Sequence, residues 1–176
     1  WREAPLIDLS RMPRKSVALT DWGTGEELTT SVTRFRVRDT LFGAIRPYFH
    51  KVGLAPVDGV TSVSIIVLRP QVANDWPYVV LLASSPDAVE YATRVAQGTK
   101  MPVVSWSDLM KHKSPTPSAE LRAAFGHVVE SVLNRVLTGI HESRTLAALR
   151  DALLPKLLSG ELRVLDAERY VREVAT

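Results

Sequence analysis

The residues best suited to catalysis are scattered through this sequence, and none belongs to a complete motif. The four histidines lie far apart and form no HExxH zinc motif: they are His50, His112, His127 and His141. Gly23-Thr24-Gly25 is a lone GxG pattern that lacks the GxxxxGK[ST] residues of a phosphate-binding loop. The chain has no cysteine, which excludes thiol catalysis and disulfides. We therefore expect no catalytic residue, no metal and no cofactor.

Two short segments are superficially similar to motifs of DNA-modifying enzymes. The segment 74–78 (NDWPY) lacks the tandem prolines of the [N/D]PP[Y/F] pocket of adenine methyltransferases, and no glycine-rich cofactor motif precedes it. Pro86-Asp87 is followed by Glu90, but Ala92 stands where a nuclease of the PD…[D/E]xK type has its lysine. The sequence thus predicts no methyltransferase, nuclease or ATPase activity for this chain.

Positive charge is concentrated in the first third of the sequence. The whole chain carries a net charge of only +3, but residues 11–51 contain eight Lys and Arg residues against four acids. A basic face with aromatic neighbours is what a polyanion partner requires. The alternative is an ordinary solvated surface.

The elements that would position these cations form a mixed α/β pattern. β-branched and alternating runs predict strands: these are 32–37, 40–45, 50–55 and 60–68. The segment 76–83 suits either a strand or a buried helix. A helix is predicted over 87–97, capped by Ser84 or Ser85 and closed by Gly98, with a further helical turn at 107–110.

A Pro- and Ser-rich stretch, 114–118, marks the boundary of a first domain at residues 1–117. Beyond it the pattern predicts a short helix over 118–125 and a long one from Gly126 or His127 to Leu158, ended by Ser159-Gly160. Such a helix is about 45 Å long. Its apolar stripe requires another helix or another chain, or else the helix folds back on its own domain. The stripe contains Val129, Leu133, Val136, Ile140, Leu146, Leu149 and Leu153.

Three stretches resemble the specificity (S) subunits of type I restriction-modification enzymes. Residues 142–164 are similar to the family's "LxxLRxxLLPKLLSGE[IL]" ending almost residue for residue. Residues 39–55 are similar to "GDxLxxxIRPYxxKxxxA", with Arg38 where the family usually has glycine. Residues 98–109 are similar to "GTxMPxxxWxxL".

The resemblance implies an α/β target-recognition domain (1–117), spacer and dimerisation helices (118–160) and a C-terminal tail (161–176). It implies sequence-specific recognition of one half of a bipartite DNA site, for methyltransferase and restriction subunits that dock on the helices. A complete S subunit carries two such units, so this chain would be a half-length subunit, pairing as a homodimer, or the C-terminal half of a longer one. No apolar run reaches 18 residues and no signal peptide is visible, so we expect a cytoplasmic protein.

We expect the DNA-binding residues to come from the basic stretch and its aromatic neighbour, together with one lysine in the 98–109 segment. They are Arg14, Lys15, Arg34, Arg36, Arg46, Tyr48, Lys51 and Lys100. For Arg46 the alternative is an ion pair with Asp39, and for Lys100 it is a solvated side chain. Met101, Pro102 and Trp106 are predicted to be core residues.

Two other functions stay open at this point. One is a non-catalytic helical scaffold or oligomerisation module, in which the basic stretch has no ligand. The other is the recognition domain of a fused restriction-methylation enzyme.

Overall fold

The computed structural model describes residues 1–29 and 31–162, so most of the predicted tail, residues 163–176, lies outside the described part. Within these ranges the chain has the predicted α/β architecture, with seven short strands and a long C-terminal helix. The strands are β1 (Pro5–Leu6), β2 (Gly23–Thr24), β3 (Val32–Phe35), β4 (Thr40–Gly43), β5 (Val52–Leu54), β6 (Gly59–Ser62) and β7 (Ile65–Leu68). The helices are α1 (Trp76–Ala83), α2 (Pro86–Val95), α3 (Trp106–Leu109) and α4 (Ala119–Ser159).

The strands form two separate sheets. One has the order β2-β1-β6-β3, in which only the β1–β6 pair is parallel. The other is the antiparallel sheet β5-β4-β7. β3 is therefore an edge strand, while β4 lies in the centre of its sheet and all four of its residues are buried.

The predicted single strand over 60–68 is wrong, because the chain turns in the middle of this run. β6 ends at Ser62, Val63 is 68% exposed at the turn, and β7 continues in the other sheet. The Ser62 and Ser64 hydroxyls are hydrogen-bonded to each other at 2.5 Å. Short polar side chains that bond locally favour such a turn without glycine or proline.

Serine side chains cap two of the three smaller helices, α2 and α3. The segment 76–83, open between strand and helix, is helix α1, with Trp76 and Val80 among its buried residues. α2 begins as predicted, because the Ser85 hydroxyl accepts a hydrogen bond from the Ala88 amide at 3.2 Å. Ser105 caps α3 in the same way. The prediction that Met101 and Trp106 are core residues is wrong, since both side chains are more than half exposed.

The two helices predicted beyond residue 117 are one continuous helix of 41 residues, α4. Gly126 lies inside it, because a single glycine costs a helix only about 1 kcal/mol relative to alanine. The predicted end is confirmed: Gly160 has a φ of +75°, the left-handed conformation that terminates helices.

The chain divides into two compact units, Trp1–Leu137 and Thr138–Thr176. The first unit extends past the predicted boundary at 117 because the beginning of α4 packs into its core. Leu133, Val129 and Leu137 contact a buried cluster that contains Leu54, Trp76 and Val80. The expectation that Val129 and Leu133 lie on a free stripe is therefore wrong, and the alternative of packing on its own domain holds for this part of the helix.

In the second unit the apolar positions differ in exposure. Ile140 is only 4% exposed, which contradicts its place on a free stripe, whereas Leu146, Leu149 and Leu153 are exposed by 65%, 51% and 42%. Val136, at the end of the first unit, is half-buried. No helix in the described ranges is long and apolar enough to cross a membrane.

Arg38 connects the sheet residues to α4 inside the first unit. Its φ is +70°, which only glycine adopts freely. Its Nη2 atom donates to Asn134 Oδ1 at 3.1 Å and lies 3.5 Å from Glu130 Oε1. The guanidinium carbon lies 4.9 Å from the centre of the Trp76 ring. The glycine that the similar family motif usually has at this position suits the positive φ, whereas Arg38 adds contacts to the helix.

Candidate nucleic-acid interface

A strained turn follows β4, and several of the predicted DNA-binding residues lie around it. Residues Pro47–Phe49 form a short 3-10 helix, with Arg46 before it at φ +50° and His50 after it at φ +52°. Lys15, at φ +55°, donates its backbone N–H to the His50 carbonyl at 2.8 Å. The described part of the chain has four non-glycine residues in this conformation, and three of them meet here. Such strain gathers at functional sites, where the surrounding structure maintains it.

Arg46 is held by the loop that precedes α3. Its backbone N–H donates to the Pro102 carbonyl at 2.7 Å, and its Nη2 donates to the Lys100 carbonyl at 3.4 Å. These contacts bring Lys100, distant in sequence, beside Arg46. The Nε atom of Arg46 is buried and has no hydrogen-bond acceptor. The predicted alternative, an ion pair with Asp39, is wrong, because Asp39 is paired with Arg69.

Aromatic side chains support the same surface. The Arg14 guanidinium lies 4.0 Å from the centre of the Phe49 ring, a stacked cation–π contact. Tyr48 is half-exposed and meets Phe49 edge to face, with ring centroids 4.8 Å apart. Five predicted residues thus surround one turn, and we call this surface the Arg46 patch. It comprises Arg14, Lys15, Arg46, Tyr48 and Lys100.

Lys51 does not belong to the Arg46 patch, although the sequence placed it there. It is half-buried, and its amino group donates a hydrogen bond to the Leu9 carbonyl. That contact joins the residue before β5 to the segment after β1. A lysine used in this way stabilises the fold and has less freedom to reach a ligand.

Arg34 and Arg36 lie on a second surface, at the opposite end of β4 from Arg46. They line a cavity of about 460 Å³ together with Asp58 and Arg69. We call this surface the Arg34 groove. The sequence assigned all the basic residues to one face, and the structure divides them between the two surfaces.

Arg69 is the residue that sequence reasoning missed. Its Nε and Nη2 atoms donate to the two carboxylate oxygens of Asp39 at 2.7 and 2.5 Å. These hydrogen bonds raise the pKa of Arg69 above its ordinary value. Asp39 is buried, and a buried carboxylate requires a partner. The sequence could therefore suggest that Asp39 pairs with a cation, but it could not identify which arginine that is.

Comparison with known proteins gives consistent similarities in sequence and fold. No model of a protein family matches the chain. It is 29% identical over 103 residues to the type I restriction enzyme HindI specificity subunit of Haemophilus influenzae, covering 58% of this chain and 22% of that protein. It is 26% identical over 116 residues to the type I restriction enzyme MjaIX specificity subunit of Methanocaldococcus jannaschii, covering 65% and 26%.

Two solved structures have a similar fold, each with a TM-score of 0.59. One is the HsdS subunit from Thermoanaerobacter tengcongensis, 21% identical, matched over 84% of this chain and 39% of its own. The other belongs to a study of complex assembly and conformational transition in the type I R-M system, 22% identical, matched over 90% and 42%.

The matches span about a quarter of the two curated relatives and about two fifths of the two solved chains. Both curated relatives are specificity subunits, and the long C-terminal helix is part of the shared fold. The resemblance seen in the three sequence motifs is thereby confirmed. In sequence this chain is similar to specificity subunits of type I restriction enzymes, and in fold it is similar to a solved HsdS subunit.

Proposed function

We propose that this chain recognises one half of a bipartite DNA target for a type I restriction-modification complex, and that the Arg46 patch contacts the DNA. The observation that carries the proposal is the gathering of cations from three segments of the chain around one strained turn. Arg46 keeps a buried N–H without an acceptor, and Lys15 and Lys100 are exposed. A phosphate oxygen could accept hydrogen bonds from the exposed ammonium groups of Lys15 and Lys100, since charge-assisted hydrogen bonds to phosphate are among the strong ones.

DNA binding by the variants Arg14→Ala and Arg46→Ala tests this assignment. Both should bind a labelled duplex more weakly, with a smaller dependence on salt, because each lost phosphate contact releases one counterion fewer. Lys51→Met is the matched comparison: it removes a neighbouring cation that the structure engages with a backbone carbonyl. Lys51→Met should bind like the unmodified chain; if Arg14→Ala and Arg46→Ala, correctly folded, do so too, the patch does not contact DNA.

The target sequence itself is a separate question, which methylation mapping answers. Cells that carry the methyltransferase subunit should acquire a defined set of methylated sites only when this chain is also present. The same sites in its absence would overturn the recognition role and favour a scaffold.

The second unit supports a proposal about assembly. Leu146, Leu149 and Leu153 are exposed at helical spacings of three and four, so they lie on one face of α4. We propose that this face pairs antiparallel with the equivalent helix of a second recognition unit, as a homodimer in the isolated chain. Methyltransferase and restriction subunits would then dock on the paired helices. Leu149→Asp should shift the chain to monomer in sedimentation, and a monomeric unmodified chain at tens of micromolar would refute self-pairing.

We also propose that the chain has no catalytic activity of its own. Two observations support this proposal. The sequence lacks the cofactor and ligand motifs named above, and the curated relatives are specificity subunits. Purified chain incubated with DNA and labelled S-adenosylmethionine should transfer no methyl group. Incorporation above a protein-free control would overturn this.

A further inference from the structure

The Arg34 groove carries a second set of cations that the Arg46 patch does not use. Arg34 lies in β3 and Arg36 just beyond it, two positions apart, so they project to the same side of an extended segment, opposite the buried Phe35. Both are exposed. Neither guanidinium has an ion-pair or hydrogen-bond partner among residues 1–29 and 31–162.

Arg69 completes the groove with a fixed orientation. Asp39 accepts from its Nε and Nη2, while the side chain of Arg69 remains 47% exposed and that of Asp39 only 4%. The carboxylate is therefore hidden from solvent and the cation is not. Asp58 is the acid that lines the cavity, and one of its oxygens accepts the Val37 N–H at 2.7 Å. The groove is thus lined by the guanidinium groups of Arg34, Arg36 and Arg69 and by one carboxylate, Asp58, which already accepts a hydrogen bond.

We infer that the Arg34 groove is a second nucleic-acid contact, which binds the phosphodiester backbone and not the bases. β3 is an edge strand, so the groove is open along one side. Side chains two residues apart on a strand are separated by about 7 Å. That spacing is comparable with the repeat of phosphates along a nucleic-acid strand. Arginines at such a spacing bind successive phosphates without reading sequence.

This inference rests on the proposed function, but it assigns different residues. The Arg34 groove and the Arg46 patch lie at opposite ends of β4, so the two surfaces contact separate stretches of backbone. A protein that binds at two places fixes its orientation on the duplex, which a single cluster of cations does less well.

The test measures DNA affinity as a function of salt for the full chain, with a fluorescein-labelled duplex of arbitrary sequence. Phosphate contacts are independent of sequence, so the target need not be known. Arg34→Ala/Arg36→Ala should reduce the slope of log K against log salt by about 1.8, since each phosphate contact contributes about 0.9. Between 50 and 200 mM salt the variant should then lose about tenfold less affinity than the unmodified chain, because two contacts fewer depend on salt.

Two variants control for charge and fold. Arg34→Lys/Arg36→Lys keeps both charges and should retain the slope. Lys111→Ala/Lys113→Ala removes two exposed lysines from the segment before α4 and should leave the slope unchanged. Circular dichroism of every variant checks that it is folded.

Each outcome separates the two assignments. A reduced slope for the Arg34/Arg36 alanine variant, with an unchanged slope for the Lys111/Lys113 variant, supports the groove. An unchanged slope, with binding lost in Arg14→Ala and Arg46→Ala, overturns the groove and leaves the proposed function intact. No effect from either set overturns both. If the groove variant keeps its DNA binding but no longer binds the methyltransferase subunit, the groove binds an acidic protein surface and the inference is wrong.

Discussion

Arg38 offers the sharpest test of how this fold is held together, because its backbone and side chain have opposite effects. The backbone sits at φ +70°, which costs a residue with a Cβ about 1–2 kcal/mol. The side chain offsets that cost through its contacts with Trp76, Glu130 and Asn134. Replacement by glycine removes both effects, whereas replacement by alanine removes only the contacts.

The magnitudes follow from the geometry. The ion pair with Glu130 is 43% and 40% exposed on its two sides, so it contributes at most about 1 kcal/mol. The contact with Trp76 contributes about 0.5–1 kcal/mol more. Arg38→Ala should therefore lower the free energy of unfolding by about 1–2 kcal/mol. Arg38→Gly should be about 1 kcal/mol more stable than Arg38→Ala, because the strain is gone.

Urea unfolding followed by far-UV circular dichroism measures both differences as shifts of the midpoint at constant slope. Arg36→Ala is the comparison, since it removes a nearby exposed arginine without a partner and should change stability by less than about 0.5 kcal/mol. A glycine variant no more stable than the alanine variant would refute the assignment of strain to this position.

Three further predictions concern the core, a close backbone approach and acid stability. Leu133→Ala should lower the free energy of unfolding by about 2–5 kcal/mol, because the side chain is buried; Leu149→Ala, at an exposed position, should change it far less in the same urea titration carried out on monomer. Gly59→Ala should lower the thermal unfolding midpoint, because a Cβ there would overlap the Pro5 carbonyl and a ring carbon of Phe35; a midpoint equal to that of the unmodified chain would contradict this. The pKa of Glu27 is lowered by the Thr24 N–H and by Arg11, so its contribution to stability is present above its ordinary pKa and lost as pH falls through the lowered one. Glu27→Gln should therefore flatten the acid limb of the stability curve, and an identical limb would show that the carboxylate does not contribute.

Features with a local cause could be predicted from the sequence. The Ser85-Pro86 start of α2 and the Gly160 end of α4 depend on capping by adjacent residues, and both are confirmed. The division of 60–68 into two strands could not be predicted in the same way. Val63 at the turn is a good strand residue by type, and only the pairing of its neighbours with different sheets exposes it.

In the candidate site too, contacts between sequence neighbours could be predicted and contacts between distant segments could not. Arg46 and Tyr48 lie on one turn, as expected for residues two positions apart in sequence, whereas Lys51, grouped with them from the sequence, contacts the Leu9 carbonyl instead. The position of Lys100 beside Arg46 depends on a contact between distant segments, and the pairing of Asp39 with Arg69 does too. Leu133 was assigned to a free stripe because helical periodicity identifies an apolar face without identifying what covers it.

The short turn between β6 and β7 also has a consequence for synthesis on the ribosome. β1 emerges before β6 and β7, and its parallel partner Val60 and the partner of β4 at Ile65–Leu68 come from the same later segment. Neither sheet can be completed before that segment leaves the exit tunnel, and both can be completed almost together once it does. The strands of the nascent chain should therefore stay sensitive to protease at least until this segment has emerged. A pause in translation once residue 68 has left the exit tunnel would then fall where the strands of both sheets can first pair.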